Sequence, residues 1–232
     1  MRALLALLLL CTAPALFAAA PARIEATYDV LGKGIKLAVI KETFTRSGNR
    51  YHIESITKPV GLLALFKPGS IIVTSEGFVT KEGLRPLKFV QNRTQDSAKN
   101  SAADFDWEND ELTSNDQAGV RTAPLPPGTQ DRLSVMYQFA AMPPRGKLEL
   151  KLNVANGSKL NVYQYQIHPE QSVTVPLGTL RSLYLYTLPQ STPWKSEIWL
   201  AVENGYVPCK VVLTEDNGDK VVQVLTALSI TQ

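Results

Sequence analysis

Ser55-Ile56-Thr57-Lys58 has the S-x-x-K spacing in which a lysine one helical turn from a serine takes the proton of the nucleophile. That chemistry needs a helix. Here the tetrad straddles the end of RYHIESIT, a β-branched and aromatic run that predicts a strand, where positions three apart point to opposite faces. No K-T-G follows and Ser114-Asn115-Asp116 is not S-D-N, so no catalytic serine is assigned. The two histidines are His52, next to Tyr51 in that run, and His168, which precedes Pro169 at a strand end. Both are expected to face solvent. Neither H-x-x-x-H nor C-x-x-C spacing occurs, nor a G-x-S-x-G elbow, so catalytic residues, metal and cofactor are all expected to be none.

Two further groups invite chemistry. Asp104, Asp106, Glu108, Asp110 and Glu111 crowd oxygen ligands of the kind calcium takes, but DFDWENDE lacks the glycine of an EF-hand loop. Alternation puts Asp104 and Asp106 on one strand face and Phe105 and Trp107 on the other, which predicts a solvated face. Asp131 and Arg132 read as the exposed start of a helix, where an acid suits the helix dipole.

These side chains must be positioned by strands. IEATYDVL, GIKLAVIKETFTRS, RYHIESIT, SIIVTSEGFVT, RPLKFVQNR and SAADFDW all carry strand composition, while residues 95–100 and 109–116 turn polar and predict exposed loops. KLELKLNV alternates cleanly. Asn156-Gly157 offers a type I′ turn that would set Leu150 opposite Tyr163 and Leu148 opposite Tyr165. Asn204-Gly205 would set Ile198, Leu200 and Val202 opposite Val211, Cys209 and Val207. Asn217-Gly218 would set Leu213 opposite Val222, Val211 opposite Val224 and Glu215 opposite Lys220, giving three strands one shared core face. Cys209 then falls on a buried face as an inert apolar thiol, and Pro208 demands a bulge or strand edge. One helix is convincing: QDRLSVMYQFAAM, residues 130–142, with Thr129 or Asp131 as N-cap and Pro143-Pro144 as the stop.

Residues 1–20 combine a basic start, a leucine-rich core and a small-residue patch, the pattern of a secretory signal peptide cleaved between about Ala18 and Ala22. Residues 21–232 are then a single β-rich domain in an extracytoplasmic space, with no further apolar run of membrane-spanning length. Lys and Arg total 24 against 21 Asp and Glu, scattered rather than blocked, so nucleic acid is excluded as a partner. Cys209 alone remains after processing, which leaves stability to burial.

TSEGFVTKEGLRPLKF, AADFDW, PPGTQDRLSVMYQFA, Gly178-Thr179-Leu180 and EIWLAVENGYVPCKVVL, in this order and spacing, resemble a family of exported bacterial envelope proteins, domain of unknown function 3108 (DUF3108). The resemblance implies a periplasmic β-rich domain of a Gram-negative bacterium and brings no reaction, cofactor or ligand. The fold expected is mainly β: a strongly curved antiparallel sheet or incomplete barrel with one short helix packed on it. One helix cannot cover so long a sheet, so either the sheet curls on itself or an apolar concavity is left for a ligand.

KPVGLLALFKPGS, residues 58–70, holds an apolar run between two Lys-Pro stops, too short to cross a bilayer. It reads as a short plug helix in the core, as a lid over an apolar cavity, or as a surface patch for membrane or a partner. The leading functional expectation is non-enzymatic binding of a lipid-like or acylated ligand, with Leu62, Leu63, Leu65 and Phe66 at the mouth and Met136 and Phe139 on the wall. The alternative is a scaffold of envelope assembly that offers a strand edge or this apolar loop to another protein.

Overall fold

The computed structural model describes residues 21–188 and 195–232; the expected signal peptide, residues 1–20, lies outside them. Six strand runs of the N-terminal half become β1 (Arg23–Gly32), β2 (Ile35–Ser47), β3 (Arg50–Pro59), β4 (Ile71–Thr80), β5 (Gly83–Arg93) and β6 (Ser101–Asp106). Short α1 (Gly61–Phe66) links β3 to β4. The polar stretch expected as a loop instead supplies β7 (Glu111–Asp116), followed by β8 (Gly119–Pro124). β7 alternates, with Leu112 and Ser114 inward, while β8 is exposed throughout and carries no apolar signature to betray it.

A two-residue β9 (Gln130–Asp131) and α2 (Ser134–Ala141) precede a second meander: β10 (Glu149–Ala155), β11 (Leu160–Val175), β12 (Gly178–Thr187), β13 (Lys195–Ala201), β14 (Val207–Thr214) and β15 (Lys220–Thr231). β15 pairs with β1, which fuses the two meanders into one 15-stranded sheet whose order runs from β8 through β1 and β15 to β9. All neighbours are antiparallel except β9 with β10. Bulges at Thr27/Tyr28, Glu76/Gly77 and Trp199/Leu200 add twist, which curls the sheet. At the second of these, a Cβ on Gly77 would stand 2.2 Å from the Arg85 carbonyl oxygen, so only glycine fits.

The curled sheet brings its two ends together without a shared strand ladder. Gln130 Nε2 donates to Leu84 O at 2.7 Å, Ser101 Oγ to Asn156 O at 3.2 Å, and Arg121 Nη2 to Ser158 O at 3.0 Å. The result is an incomplete barrel, as expected from the sequence. Inside it, α2 is threaded through the interior rather than laid over the sheet from outside. Leu133 and Tyr137 pack into one apolar cluster with Phe44, Ile53 and Phe89, whereas Phe139 packs into another with Tyr165, Leu185 and Ile198. Tyr137 stacks on Phe44 with ring centroids 5.5 Å apart. Among the described residues no helix is long and apolar enough to cross a membrane.

The turns show how register is decided. At Asn156 the side-chain oxygen accepts from the Ser158 and Lys159 amides, each at 3.0 Å, which lengthens the turn to four residues. Leu150 therefore faces Tyr165 and Leu152 faces Tyr163, a two-residue slip that preserves the faces. Ile198 does pair with Val211, and beyond Trp199 the expected bulge appears, so Leu200 meets Pro208 instead of Cys209. At Asn217-Gly218 the slip is a single residue: Val211 faces Gln223 and Leu213 faces Val221, so Val222 and Val224 leave the face of Val211 yet still pack into an apolar cluster with Cys209. Cys209 is fully buried, and burial pushes its thiol up to about 11.

Candidate functional site

Cross-strand pairing stacks the inward side chains of β2, β3, β4 and β5 in rows. The row Phe44, Ile53, Ser75, Phe89 belongs to the core; the next is Glu42, Ser55, Val73, Gln91; the last, towards α1, is Ile40, Thr57, Ile71, Arg93. Side chains fill the barrel at the first row. Over the other two they leave a cavity of about 380 Å³, within the roughly 300–1,000 Å³ typical of small-molecule sites. Leu152, Ile198, Val211 and Leu213 line the facing wall, and Met136 and Phe139 of α2 border it. A second depression, by Phe78, Leu87 and Trp107, is an open surface groove that the Trp107 indole borders while donating to Pro86 O at 2.6 Å.

Polar groups gather on the cavity wall where the sheet ends meet. Arg132 is exposed at the cavity, lines its wall and donates from Nη1 to Gln91 Oε1 at 3.0 Å. Arg93, Asn156, Asn161 and Tyr163 complete this side. Glu42 stands deeper, accepting from Ser55 Oγ and Tyr137 Oη at 3.0 Å each, and burial raises its carboxyl above the ordinary 4.5. The arrangement can hold a greasy body and satisfy a polar end.

Asp131 is not an exposed helix start. It is 0% exposed, accepting from Ser75 Oγ at 2.5 Å and from the backbone amides of Leu133 and Ser134 at 2.8 and 2.7 Å. The acid does serve the start of α2, but from inside the barrel, and burial raises its carboxyl. Arg132 is exposed, as expected, and its side chain also lines the cavity.

Met136 and Phe139 line the cavity. Leu62, Leu63, Leu65 and Phe66 are not on the cavity wall, and no residue of α1 is buried. Leu62 and Leu65 are 75% exposed and Phe66 81%, so the reading of this segment as a core plug is overturned. Its flanking strand residues Thr57 and Ile71 do line the cavity, which hangs α1 from that end of the barrel. His52 and His168 are exposed, Ser55 points inward while Lys58 points out, and Asp104 and Asp106 are solvated. Among the described residues no group of three or more His, Cys, Asp or Glu could hold a metal ion.

Glu42, Gln91 and Arg93 escaped the sequence reading, although a signal was present. Glu42 is in phase with Ala38, Ile40 and Phe44, and Arg93 with Phe89 and Gln91, so each polar group sits on its strand's inward face.

The sequence matches the family described as Protein of unknown function (DUF3108) over residues 23–226. This chain belongs to the DUF3108 family. Among curated proteins none matches it. Among solved structures, this DUF3108 chain is similar to a β-barrel-like protein of the DUF1849 family from Brucella abortus: TM-score 0.59 and 12% identity, over 92% of this chain and 99% of that one. That likeness concerns the fold alone. A lipoprotein candidate from Parabacteroides distasonis aligns with TM-score 0.34 and 12% identity, over 91% of this chain and 97% of that one. The DUF3108 domain is thus a β-rich, barrel-like protein of unknown function.

Proposed function

We propose that this DUF3108 protein is a non-enzymatic periplasmic binder of a hydrophobic ligand, lipid-like or acylated, held inside the incomplete barrel. The observation that carries this reading is the cavity of about 380 Å³ between α2 and the inward faces of β2 to β5 and β10 to β14, whose wall is largely apolar. An apolar space of this size binds guests by sheltering hydrocarbon from water, worth about 0.8 kcal/mol for each methylene buried. Met136 and Phe139 serve as wall, and α1, with exposed Leu62, Leu63, Leu65 and Phe66 beside Lys58 and Lys67, serves as the greasy rim over which a ligand passes. Export rests on the N-terminal sequence pattern. Binding rather than catalysis is supported by His52 and His168, both exposed and neither on the cavity wall.

Native mass spectrometry of the processed protein purified from periplasmic extract tests this. The expected spectrum shows a co-purified lipid-like mass, lost on organic extraction, on a chain that begins between about Ala18 and Ala22. Consistently empty protein, unable to take up a dodecyl-chain probe, would overturn it.

A second reading, the scaffold, is favoured by two features: β8 is an edge strand exposed along its length, and α1 displays Leu62, Leu65 and Phe66. Photocrosslinkers at Phe66 and Val120 separate the two: one dominant protein adduct supports the scaffold, lipid adducts at Phe66 support the carrier.

A further inference from the structure

The cavity is apolar over most of its wall but not neutral. Arg93 ends the lateral row that begins at Ile40, and Arg132 stands across from it at the β9 to α2 junction. Two guanidiniums thus line one cavity, Arg93 half-buried and Arg132 exposed, close enough for Arg93 to disfavour the charge on Arg132. Among the described residues neither has a carboxylate within the 4.0 Å of an ion pair. Their acidic neighbours are engaged elsewhere: Glu42 with Ser55 and Tyr137, Asp131 with Ser75 and two backbone amides. Arg93 Nε is buried without a hydrogen-bond partner.

The half-buried Arg93 carries a buried Nε with no partner, which is costly, and a planar guanidinium with five donors is built to grip carboxylate or phosphate oxygens. A ligand of hydrocarbon alone would leave that cost standing. An anion delivered at the end of a hydrocarbon chain would remove it while the chain fills the apolar part.

We infer that the cavity receives an amphiphile with a single anionic head group, carboxylate or phosphate, seated between Arg93 and Arg132 with its tail against Met136, Phe139 and Ile198. This rests on the binding reading above and narrows it to one ligand class. The head sits at the seam where the sheet ends meet, and the tail runs inward along α2. A neutral chain is rejected because it brings no oxyanion to the guanidiniums.

Isothermal titration of the delipidated, processed protein tests this with four probes kept below their micelle concentrations: dodecanoate, dodecyl phosphate, dodecanol and dodecyltrimethylammonium. At least one of the two anions is expected to bind about tenfold or more tighter than dodecanol, with the cation weakest, and the tighter anion assigns carboxylate or phosphate. Arg132→Gln and Arg93→Gln should each bring the anions down towards dodecanol while leaving dodecanol unchanged. Should Arg132→Gln not fold, judged by circular dichroism, Arg93→Gln at its strand end carries the comparison. Dodecanol binding as tightly as both anions, or anion preference surviving both substitutions, overturns the head-group inference and leaves hydrophobic binding intact. Failure of all four probes overturns both.

Discussion

Tyr137 on α2 donates its hydroxyl to the Glu42 carboxylate on β2 at 3.0 Å, across 95 residues of sequence and inside the barrel. This bond and the Phe44 stack fix one face of the helix to the sheet, so α2 borders the cavity at a set distance. Because burial raises the Glu42 carboxyl, the folded protein holds that proton more tightly than the unfolded chain. The folded state then binds more protons between the unfolded and folded values, so this group's contribution to stability falls as pH rises through that window and levels above it. Glu42→Gln removes the dependence. Thermal melts from the ordinary carboxylate range to mildly alkaline pH should show the variant gaining on the parent as pH rises; a constant difference would refute the assignment.

Asp131 anchors the other end of the same construction. Asp131→Ala strands two amides at the start of α2 and leaves the Ser75 hydroxyl with Tyr51 alone, and should lower stability by roughly 2–4 kcal/mol in urea unfolding. Asp131→Asn keeps an acceptor for the amides and is expected to lose less.

Filling the cavity separates binding from folding. Met136→Trp places an indole where the ligand would lie, so co-purified lipid should fall at least about tenfold while the circular dichroism spectrum is retained. Undiminished lipid in a folded variant would place the ligand elsewhere.

The exposure of α1 predicts an asymmetry between loading and stability. Phe66→Asp should change unfolding free energy by no more than about 0.5 kcal/mol, whereas Phe89→Ala in the core row should remove about 3–5 kcal/mol. In stopped-flow uptake of a fluorescent fatty acid, Phe66→Asp should slow association without altering capacity.

Cys209 offers a probe of the native barrel. With its thiol buried and pushed up to about 11, it should resist a disulfide reagent at neutral pH and react once urea opens the fold. Prompt reaction in the native state would show the β13 to β14 bulge to be open.

Fold class and most strand positions were legible because apolar alternation is a local signal, clear in IEATYDVL and RYHIESIT alike. Register was not, because Asn-Gly does not declare its turn length: a four-residue turn at Asn156 preserved the faces, whereas a one-residue slip at Asn217-Gly218 took Val222 and Val224 off the face of Val211. Polarity misled in the other direction at Asp131, which looks like surface until the sheet closes around it. β8 gave no apolar cue at all, since none of its residues is buried.

The fifteen strands form a split ring rather than a hoop. Between its two lips, Gln130, Ser101 and Arg121 each reach to a backbone carbonyl, and these stitches are single side-chain bonds instead of a backbone ladder. Spreading the slit to admit a bulky guest would break these stitches, with the Arg132–Gln91 and Ser75–Asp131 bonds beside them, and leave every strand-to-strand pairing in place. A hoop would have to tear a strand pair to do the same.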